Sequence, residues 1–146
     1  MWLGGSAAKA IERTARWGTG WQAGIEAPEE IAPVISAIKE RAKQLDRHID
    51  EDHFGAGFAF RFGEADHPAV TGYRKLLSER LGKDPSGFLA TGDAQHIFAL
   101  LQKFHAAGAH KFILRPMAFG TDDMIEQTRL MVTELLPAVS TLNAAA

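Results

Sequence analysis

Short apolar runs alternate with stretches of helical period along this chain of 146 residues. The apolar runs predict strands near residues 1–5, 19–23, 55–63 and 111–116. The first run ends at Gly4 and Gly5, and the third places phenylalanines on alternate positions at 58, 60 and 62. Strands that alternate with helices favour a parallel sheet with helical crossovers, so the pattern predicts an α/β fold.

Apolar spacing and end signals predict where the helices lie. Pro28 suits a first helical turn, and an apolar stripe of helical period runs from Ile31 to Leu45. Ser6 is the predicted N-cap of the first helix, and Thr121 that of the last, which extends to about residue 142. The segment from residue 83 to 93, KDPSGFLATGD, is predicted to be a loop. The predicted inner stripe of the last helix is Met124, Thr128, Met131, Val132, Leu135 and Val139.

Composition narrows the classes of protein. Apolar residues make up 46% and charged residues 23%, values typical of one soluble globular domain. The absence of cysteine excludes disulfides, thiolate nucleophiles and cysteine metal sites. A net charge of −2 with scattered basic residues argues against nucleic acid as a partner. No apolar run reaches the ~20 residues that span a bilayer, so no membrane partner and a cytoplasmic location are expected.

The histidines offer a metal site to consider. His48 and His53 flank three acidic residues in the sequence HIDEDH, and imidazole with carboxylate can bind a divalent ion. No further ligands stand at a matching spacing, so a solvated loop is the favoured interpretation and no metal is predicted. His105 and His110 flank a small-residue turn and are predicted to lie at the surface.

Two blocks of sequence resemble a known family. The first block, WLGGSAAKAIERTARWGTGW from residue 2 to 21, is similar to a block of the bacterial-luciferase-like flavin- and deazaflavin-dependent oxidoreductases. The second block, TGDAQHIFALLQKFHAAGAHKFILRP from residue 91 to 116, is similar to the closing block of that family. The two blocks stand in the family's order and at about its spacing, so the resemblance is fairly specific.

The resemblance implies a fold. The family adopts a (β/α)8 TIM barrel, which needs ~250 residues or more, and its G-G-S block opens barrel strand five. The chain therefore resembles the C-terminal half of a luciferase-like barrel, with strands five to eight in one half-barrel domain over residues 1–146. On this view Met1 replaces a residue inside a longer ancestor.

A half-barrel implies a partner. Four parallel strands would leave two edges with unpaired N–H and C=O groups. Two copies could restore a closed sheet, so a homodimer is the preferred assembly. A separate chain that supplies the complementary N-terminal half, and a rearranged monomer, are the alternatives.

The resemblance also implies cofactor-binding residues. The family binds the phosphate of FMN or of a deazaflavin coenzyme at the turn that corresponds to Gly4, Gly5 and Ser6. Glycine lets main-chain N–H groups approach an anion, and the following helix favours negative charge. Without the surrounding block, the same turn would be interpreted as an ordinary tight turn.

Three other side chains are candidates with alternatives. Trp21 either borders the cofactor or substrate cavity or packs in the core. Arg115, near the end of the fourth predicted strand, either faces an anionic group or closes the barrel rim through an ion pair. Arg61 lies among phenylalanines and must find a carboxylate or solvent, so a structural role is favoured.

Two functions follow as hypotheses. The first is a luciferase-like oxidoreductase, in the monooxygenase or hydride-transfer class, that uses FMN or deazaflavin as part of a complete barrel. The second is a non-catalytic half-barrel module. The family's proton-transfer and substrate-binding residues come largely from strands one to four, so no catalytic residue is assigned here.

Overall fold

The computed structural model describes the backbone of residues 1–144 and the side chains of residues 1–140. The chain forms two compact units. The first unit comprises Met1–Gly57 and Lys103–Ile113, and the second comprises Phe58–Gln102 and the chain from Leu114 onward. Two strands contribute residues to both units.

Five strands and six α-helices make up the described chain. The strands are β1 (Trp2–Gly4), β2 (Gly20–Gln22), β3 (Phe54–Phe62), β4 (Leu89–Gly92) and β5 (Lys111–Pro116). The helices are α1 (Ala8–Trp17), α2 (Pro28–Gln44), α3 (Pro68–Leu81), α4 (Ala94–Ala106), α5 (Gly120–Leu130) and α6 (Leu136–Ala144), with a π-helical segment at Met131–Leu135 and 3₁₀ turns at Glu51–His53 and Pro85–Phe88. Among the described residues, no helix combines the length and apolar character needed to cross a bilayer.

Parallel pairing connects the strands, as predicted. In the first unit, β1 pairs with β2 so that Leu3 lies opposite Trp21, and β2 pairs with the start of β3. In the second unit, the end of β3 pairs with β4 over Ala59–Phe62 and Leu89–Gly92. Strand β5 also pairs with β3. Helices connect these strands, which confirms the predicted parallel arrangement with helical crossovers.

Strand β4 corrects the prediction of a loop over residues 83–93. Leu89 and Ala90 are buried, at 8% and 7% exposure, and their main chain pairs with β3. The segment is rich in proline, serine and glycine, which favour turns, and four strand residues are too few to show an alternating pattern. The sheet therefore contains five strands and not four.

Each unit has its own apolar core. In the first unit, Trp21, Phe54, Ile31, Ile38 and Phe104 are almost completely buried. The stripe predicted on α2 is confirmed at Ile31, Val34, Ile35, Ile38 and Ala42. In the second unit, the buried large side chains include Phe58, Phe60, Val70, Ile97, Leu101 and Leu135. Every residue of β3 is buried, so this strand supplies core side chains to both units.

The last helix turns a different face inward from the one predicted. Gln127 and Leu135 are buried, whereas Met124 and Val132 are 42% and 50% exposed. The predicted stripe is therefore wrong at Met124, Thr128 and Val132. Two causes act together: polar side chains of α5 bond to β3, and the π-helical segment shifts the helical period. The helix begins at Gly120 after Phe119, so Thr121 is not its N-cap.

Candidate functional site

The turn between β1 and α1 depends on two glycines. Gly5 has a φ of +99°, a left-handed conformation that favours glycine. A Cβ atom on Gly5 would lie 3.0 Å from the Cβ of Ala10, and one on Gly4 would lie 3.2 Å from the carbonyl oxygen of Gln22. The sequence at these positions therefore permits a tight, exposed turn that a larger residue would distort.

The N-terminus of α1 has no side-chain cap. Its N-cap is Ala7, in extended conformation, and the predicted cap Ser6 is one residue too early. The first turn contains no acidic residue, but it does contain the exposed Lys9. By contrast, Glu30 of α2 accepts a hydrogen bond from the Ala27 N–H at 2.7 Å. The first main-chain N–H groups of α1, the charge of Lys9 and the positive end of the helix dipole all lie at this turn. Each of them would attract an anion.

Trp21 supports this turn from the core of the first unit. Its side chain has no exposed area, and its indole Nε1–H donates a hydrogen bond to the Gly5 carbonyl at 3.0 Å. The structure therefore brings Trp21 and Gly5 together. Complete burial agrees with the core-packing interpretation of Trp21, and the hydrogen bond gives the residue a second role in holding the turn.

Arg115 lies in the second unit. It is the penultimate residue of β5, and its side chain is exposed. Its guanidinium has no ion-pair partner among the residues that the structure describes. Both interpretations of Arg115, an anion-binding residue or a rim ion pair, therefore stay predictions.

Arg61 organises a polar cluster within the second unit. The residue is 8% exposed, and its Nη1 donates to the Met117 carbonyl at 2.7 Å and to the Asp123 carboxylate at 2.9 and 3.1 Å. Its Nη2 lies 3.1 Å from Nε2 of His67. The Arg61 guanidinium, and next the Phe119 N–H, lower the pKa of Asp123. Of the two predicted environments for Arg61, a carboxylate or solvent, the structure shows the carboxylate of Asp123.

Gln127 forms a second link between α5 and β3. Its Oε1 accepts from the Phe62 N–H at 2.7 Å, and its Nε2 donates to the Phe62 carbonyl at 3.3 Å. The sequence pattern did not predict either Gln127 or Asp123 as a partner of β3. They lie 65 and 62 residues from their partners, and a polar residue on a helix gives no local signal of burial.

The histidine-rich connection engages other parts of the first unit. Ligand atoms of Asp50, Asp52 and His53 lie within 4.8 Å of one another. His53 Nδ1 is 2.8 Å from the Thr19 carbonyl, and Asp52 accepts from Lys111 at 3.1 Å. The Lys111 ammonium lowers the pKa of Asp52. These groups are therefore already held by protein partners.

His105 and His110 form a ring pair in the first unit, with their centroids 4.8 Å apart. Partial desolvation of the His110 ring lowers its pKa, and the neighbouring His105 lowers it further. His110 is exposed, as predicted, and His105 is half-buried. Desolvation first, and His105 next, therefore favour the neutral form of His110.

Comparison with known proteins finds similarity in structure. No protein-family model and no curated protein matches the sequence. Monooxygenase RslO1 from Streptomyces bottropensis is 16% identical, with a TM-score of 0.69 over 94% of this chain and 47% of its own. Coenzyme F420 dependent tetrahydromethanopterin reductase from Methanopyrus kandleri is 15% identical, with a TM-score of 0.68 over 94% of this chain and 50% of its own. Riboflavin lyase RcaE, solved with modified FMN and riboflavin, is 15% identical, with a TM-score of 0.60 over 99% of this chain and 43% of its own.

The chain spans about half the length of each of these proteins. At such low identity the likeness concerns the fold. The predicted fold class, half of a (β/α)8 barrel with parallel strands and helical crossovers, is confirmed.

Proposed function

We propose that this half of a luciferase-like barrel belongs to an oxidoreductase and binds the phosphate of FMN or a deazaflavin coenzyme at Gly4, Gly5 and Ser6. The observation that carries the proposal is the N-terminus of α1, which lacks both a side-chain cap and an acidic residue and follows a left-handed glycine. Two structural neighbours support the cofactor class, since one is described as dependent on coenzyme F420 and another contains modified FMN.

The residues of the turn fit a phosphate group. The main-chain N–H groups of the first turn of α1 can donate to phosphate oxygens, and the Ser6 hydroxyl is a further donor. Lys9 adds positive charge on the same turn. Trp21 keeps the Gly5 carbonyl bonded to the core and so orients the turn. When bound, the cofactor would supply the hydride or oxygen chemistry, and the protein would supply position and charge.

Arg115 is a separate candidate in the second unit. Its guanidinium is exposed, and it could bind an anionic group of the cofactor or of a substrate. The Arg115→Ala variant tests this role separately from that of the Gly4, Gly5 and Ser6 turn. No residue of this chain is proposed as a catalytic acid or base.

The proposed enzyme is cytoplasmic and needs a second half-barrel. The chain spans about half of its structural neighbours, so the complement is either a second copy or a separate chain. The same observation favours a second candidate function, in which this chain is a non-catalytic half-barrel module that assembles without binding a cofactor.

Titration with FMN and with the deazaflavin coenzyme distinguishes these functions. We expect one of them to bind with a dissociation constant below ~100 μM, about −5.5 kcal/mol, with a change in its absorption spectrum. The Gly5→Ala variant should lose this binding, because its Cβ meets Ala10 and its φ is unfavourable. Gly82→Ala is the matched control, since Gly82 also has a positive φ but no atom within 4 Å of the added Cβ. If neither cofactor binds, the non-catalytic half-barrel module is the candidate function that remains.

A further inference from the structure

A small cavity of about 240 Å³ lies in the second unit, at the carboxyl end of β5. Gly72, Tyr73 and Leu76 line it from α3, and the segment from Pro116 to Phe119 lines it from the other side. We name it the α3–β5 cavity. Tyr73 supplies a hydroxyl group, and the other lining side chains that the structure describes are apolar. The cavity is therefore suited to an apolar molecule with few polar groups.

The wall that follows β5 is held in place by the polar cluster around Arg61. The carbonyl of Met117 accepts a hydrogen bond from Arg61 at 2.7 Å, and the Phe119 N–H donates to Asp123 at 2.8 Å. The ring centroids of Phe119 and His67 are 6.3 Å apart. Although these contacts hold it, Phe119 is 63% exposed. The wall is therefore formed before anything binds, which favours affinity because little ordering accompanies binding.

Gly72 keeps the opposite wall of the cavity open. It lies in the interior of α3, with helical backbone angles, where glycine is less favourable than alanine. A Cβ atom on Gly72 would have no atom of the described structure within 4 Å beyond the adjacent helical backbone. Neither the backbone conformation nor a close neighbour therefore requires glycine at this position. The missing side chain instead leaves space in the cavity.

The size and the lining of the cavity indicate the class of ligand. An apolar cavity of roughly 150 Å³ is enough to hold benzene, so the α3–β5 cavity has room for one substituted ring and is too small for a helix or a strand. Phe119 and Tyr73 offer aromatic rings, which pack well against another ring. The Tyr73 hydroxyl forms no hydrogen bond with any residue in the described part of the chain. It is therefore free to bond to a polar group of the ligand.

We propose that the α3–β5 cavity binds a neutral compound with one aromatic ring and one hydroxyl or carbonyl group. The ring packs between Phe119 and the open side of Gly72, and the polar group bonds to the Tyr73 hydroxyl. Open α/β sheets bind ligands in crevices at the carboxyl ends of their strands, and the cavity lies at such an end. The proposal goes beyond the proposed function, since it needs neither a cofactor nor a second half-barrel.

Titration of the ¹⁵N-labelled full chain with p-cresol, followed by NMR, tests this binding. We expect the amide signals of residues 72–76 and 117–119 to shift, with a dissociation constant of ~1 mM or below. Tyr73→Phe should weaken the binding of p-cresol about fivefold, because it removes one hydrogen bond between neutral groups. The same variant should bind toluene as the wild type does, since toluene has no hydroxyl group.

Gly72→Leu and Arg74→Leu are a matched pair of variants. Gly72→Leu fills the cavity and should raise the dissociation constant of p-cresol at least about tenfold. Arg74→Leu places the same side chain at an exposed position of α3 outside the cavity, and should change this constant less than about twofold. Leucine favours the helix more than glycine does, so Gly72→Leu should also raise the midpoint of thermal unfolding by about 2 to 4 °C.

Several results would overturn the proposal. They are the absence of p-cresol binding, shifts confined to residues outside the cavity, and equal weakening by Gly72→Leu and Arg74→Leu. Equal losses of p-cresol and toluene binding in Tyr73→Phe would contradict the hydrogen bond. A lower thermal midpoint for Gly72→Leu would show that packing requires glycine at this position, and it would remove the argument for an open cavity.

Discussion

Trp21 and Gly5 are joined by a hydrogen bond of 3.0 Å from the indole Nε1–H to the main-chain carbonyl. A side chain with no exposed area thus holds the exposed turn that is the candidate phosphate site. The strand register explains the contact, because Trp21 lies opposite Leu3 in the β1–β2 pair and Gly5 follows two residues later. Core packing and the geometry of the turn are therefore coupled within the first unit.

Trp21→Phe should separate packing from hydrogen bonding. Phenylalanine retains much of the apolar volume, but it cannot donate to Gly5. We expect the free energy of unfolding to fall by about 1 to 2 kcal/mol, from the lost hydrogen bond and the smaller ring. Urea denaturation followed by circular dichroism measures the change. Stability equal to that of the wild type would show that the bond contributes nothing.

Asp123→Ala should destabilise the protein more than Arg61→Met. Removing the carboxylate leaves the buried guanidinium of Arg61 without its counter-ion, which costs about 3 kcal/mol. Removing the arginine leaves Asp123, which is less buried and retains the Phe119 N–H. Thermal or urea unfolding of the two single variants and the double variant gives their order of stability. An Arg61→Met variant less stable than Asp123→Ala would contradict this account.

Gln127→Leu should cost about 2 kcal/mol of unfolding free energy, although leucine is apolar and similar in size. The substitution removes the partners of both the N–H and the carbonyl of Phe62, which lie in a buried part of the second unit. Gln102→Leu is the control, because Gln102 is exposed on α4 and should change stability by less than about 0.5 kcal/mol. The midpoints of urea unfolding, fitted with one common slope of free energy against urea concentration, compare the stabilities of the two variants. Equal effects of the two substitutions would exclude a role for the Phe62 bonds.

The Glu12 carboxylate should make stability depend on pH in the acid range. Arg41, and next Arg16, lower the pKa of Glu12 from 4.5 to about 2. A carboxyl group whose pKa is lowered by folding stabilises the protein above its unfolded pKa, and this contribution is lost as the pH falls. Glu12→Gln should therefore be less stable than the wild type at neutral pH. The difference should shrink as the pH falls from 4.5 towards 2 and vanish below about 2.

Urea unfolding across this range measures the pH effect. Glu64→Gln, which removes an exposed carboxylate outside the Glu12 ion pairs, is the control. A difference between Glu12→Gln and the wild type that stays constant with pH would mean that the ion pairs do not cause it.

The local pattern of the chain was enough to predict four strands and their surroundings. Strand β5 has the predicted bounds, and β1, β2 and β3 differ from prediction by one residue at each end. These strands are apolar runs that end at glycine, proline or polar residues, so their limits are local. Strand β4 was missed because its four residues become a strand only through pairing with Ala59–Phe62.

The candidate phosphate-binding turn also has some features that follow from local sequence and others that depend on tertiary structure. Gly4, Gly5 and Ser6 were identified from local sequence and from a family resemblance, but the cap of α1 was assigned to Ser6 instead of Ala7. The position of an N-cap depends on backbone angles, and the left-handed Gly5 delays the start of the helix. The burial of Trp21 and its bond to Gly5 arise from strand pairing, so the local sequence is compatible with both interpretations of Trp21.

By itself the sequence determined the alternation of strands and helices, the parallel fold class and the glycine turn, because neighbouring residues set periodicity and backbone freedom. Only the tertiary structure decided which face of the last helix turns inward. Asp123 and Gln127 bond to Arg61 and Phe62, more than sixty residues earlier. A buried guanidinium and buried main-chain groups require polar partners, and this requirement outweighs the apolar stripe that the local pattern would have buried.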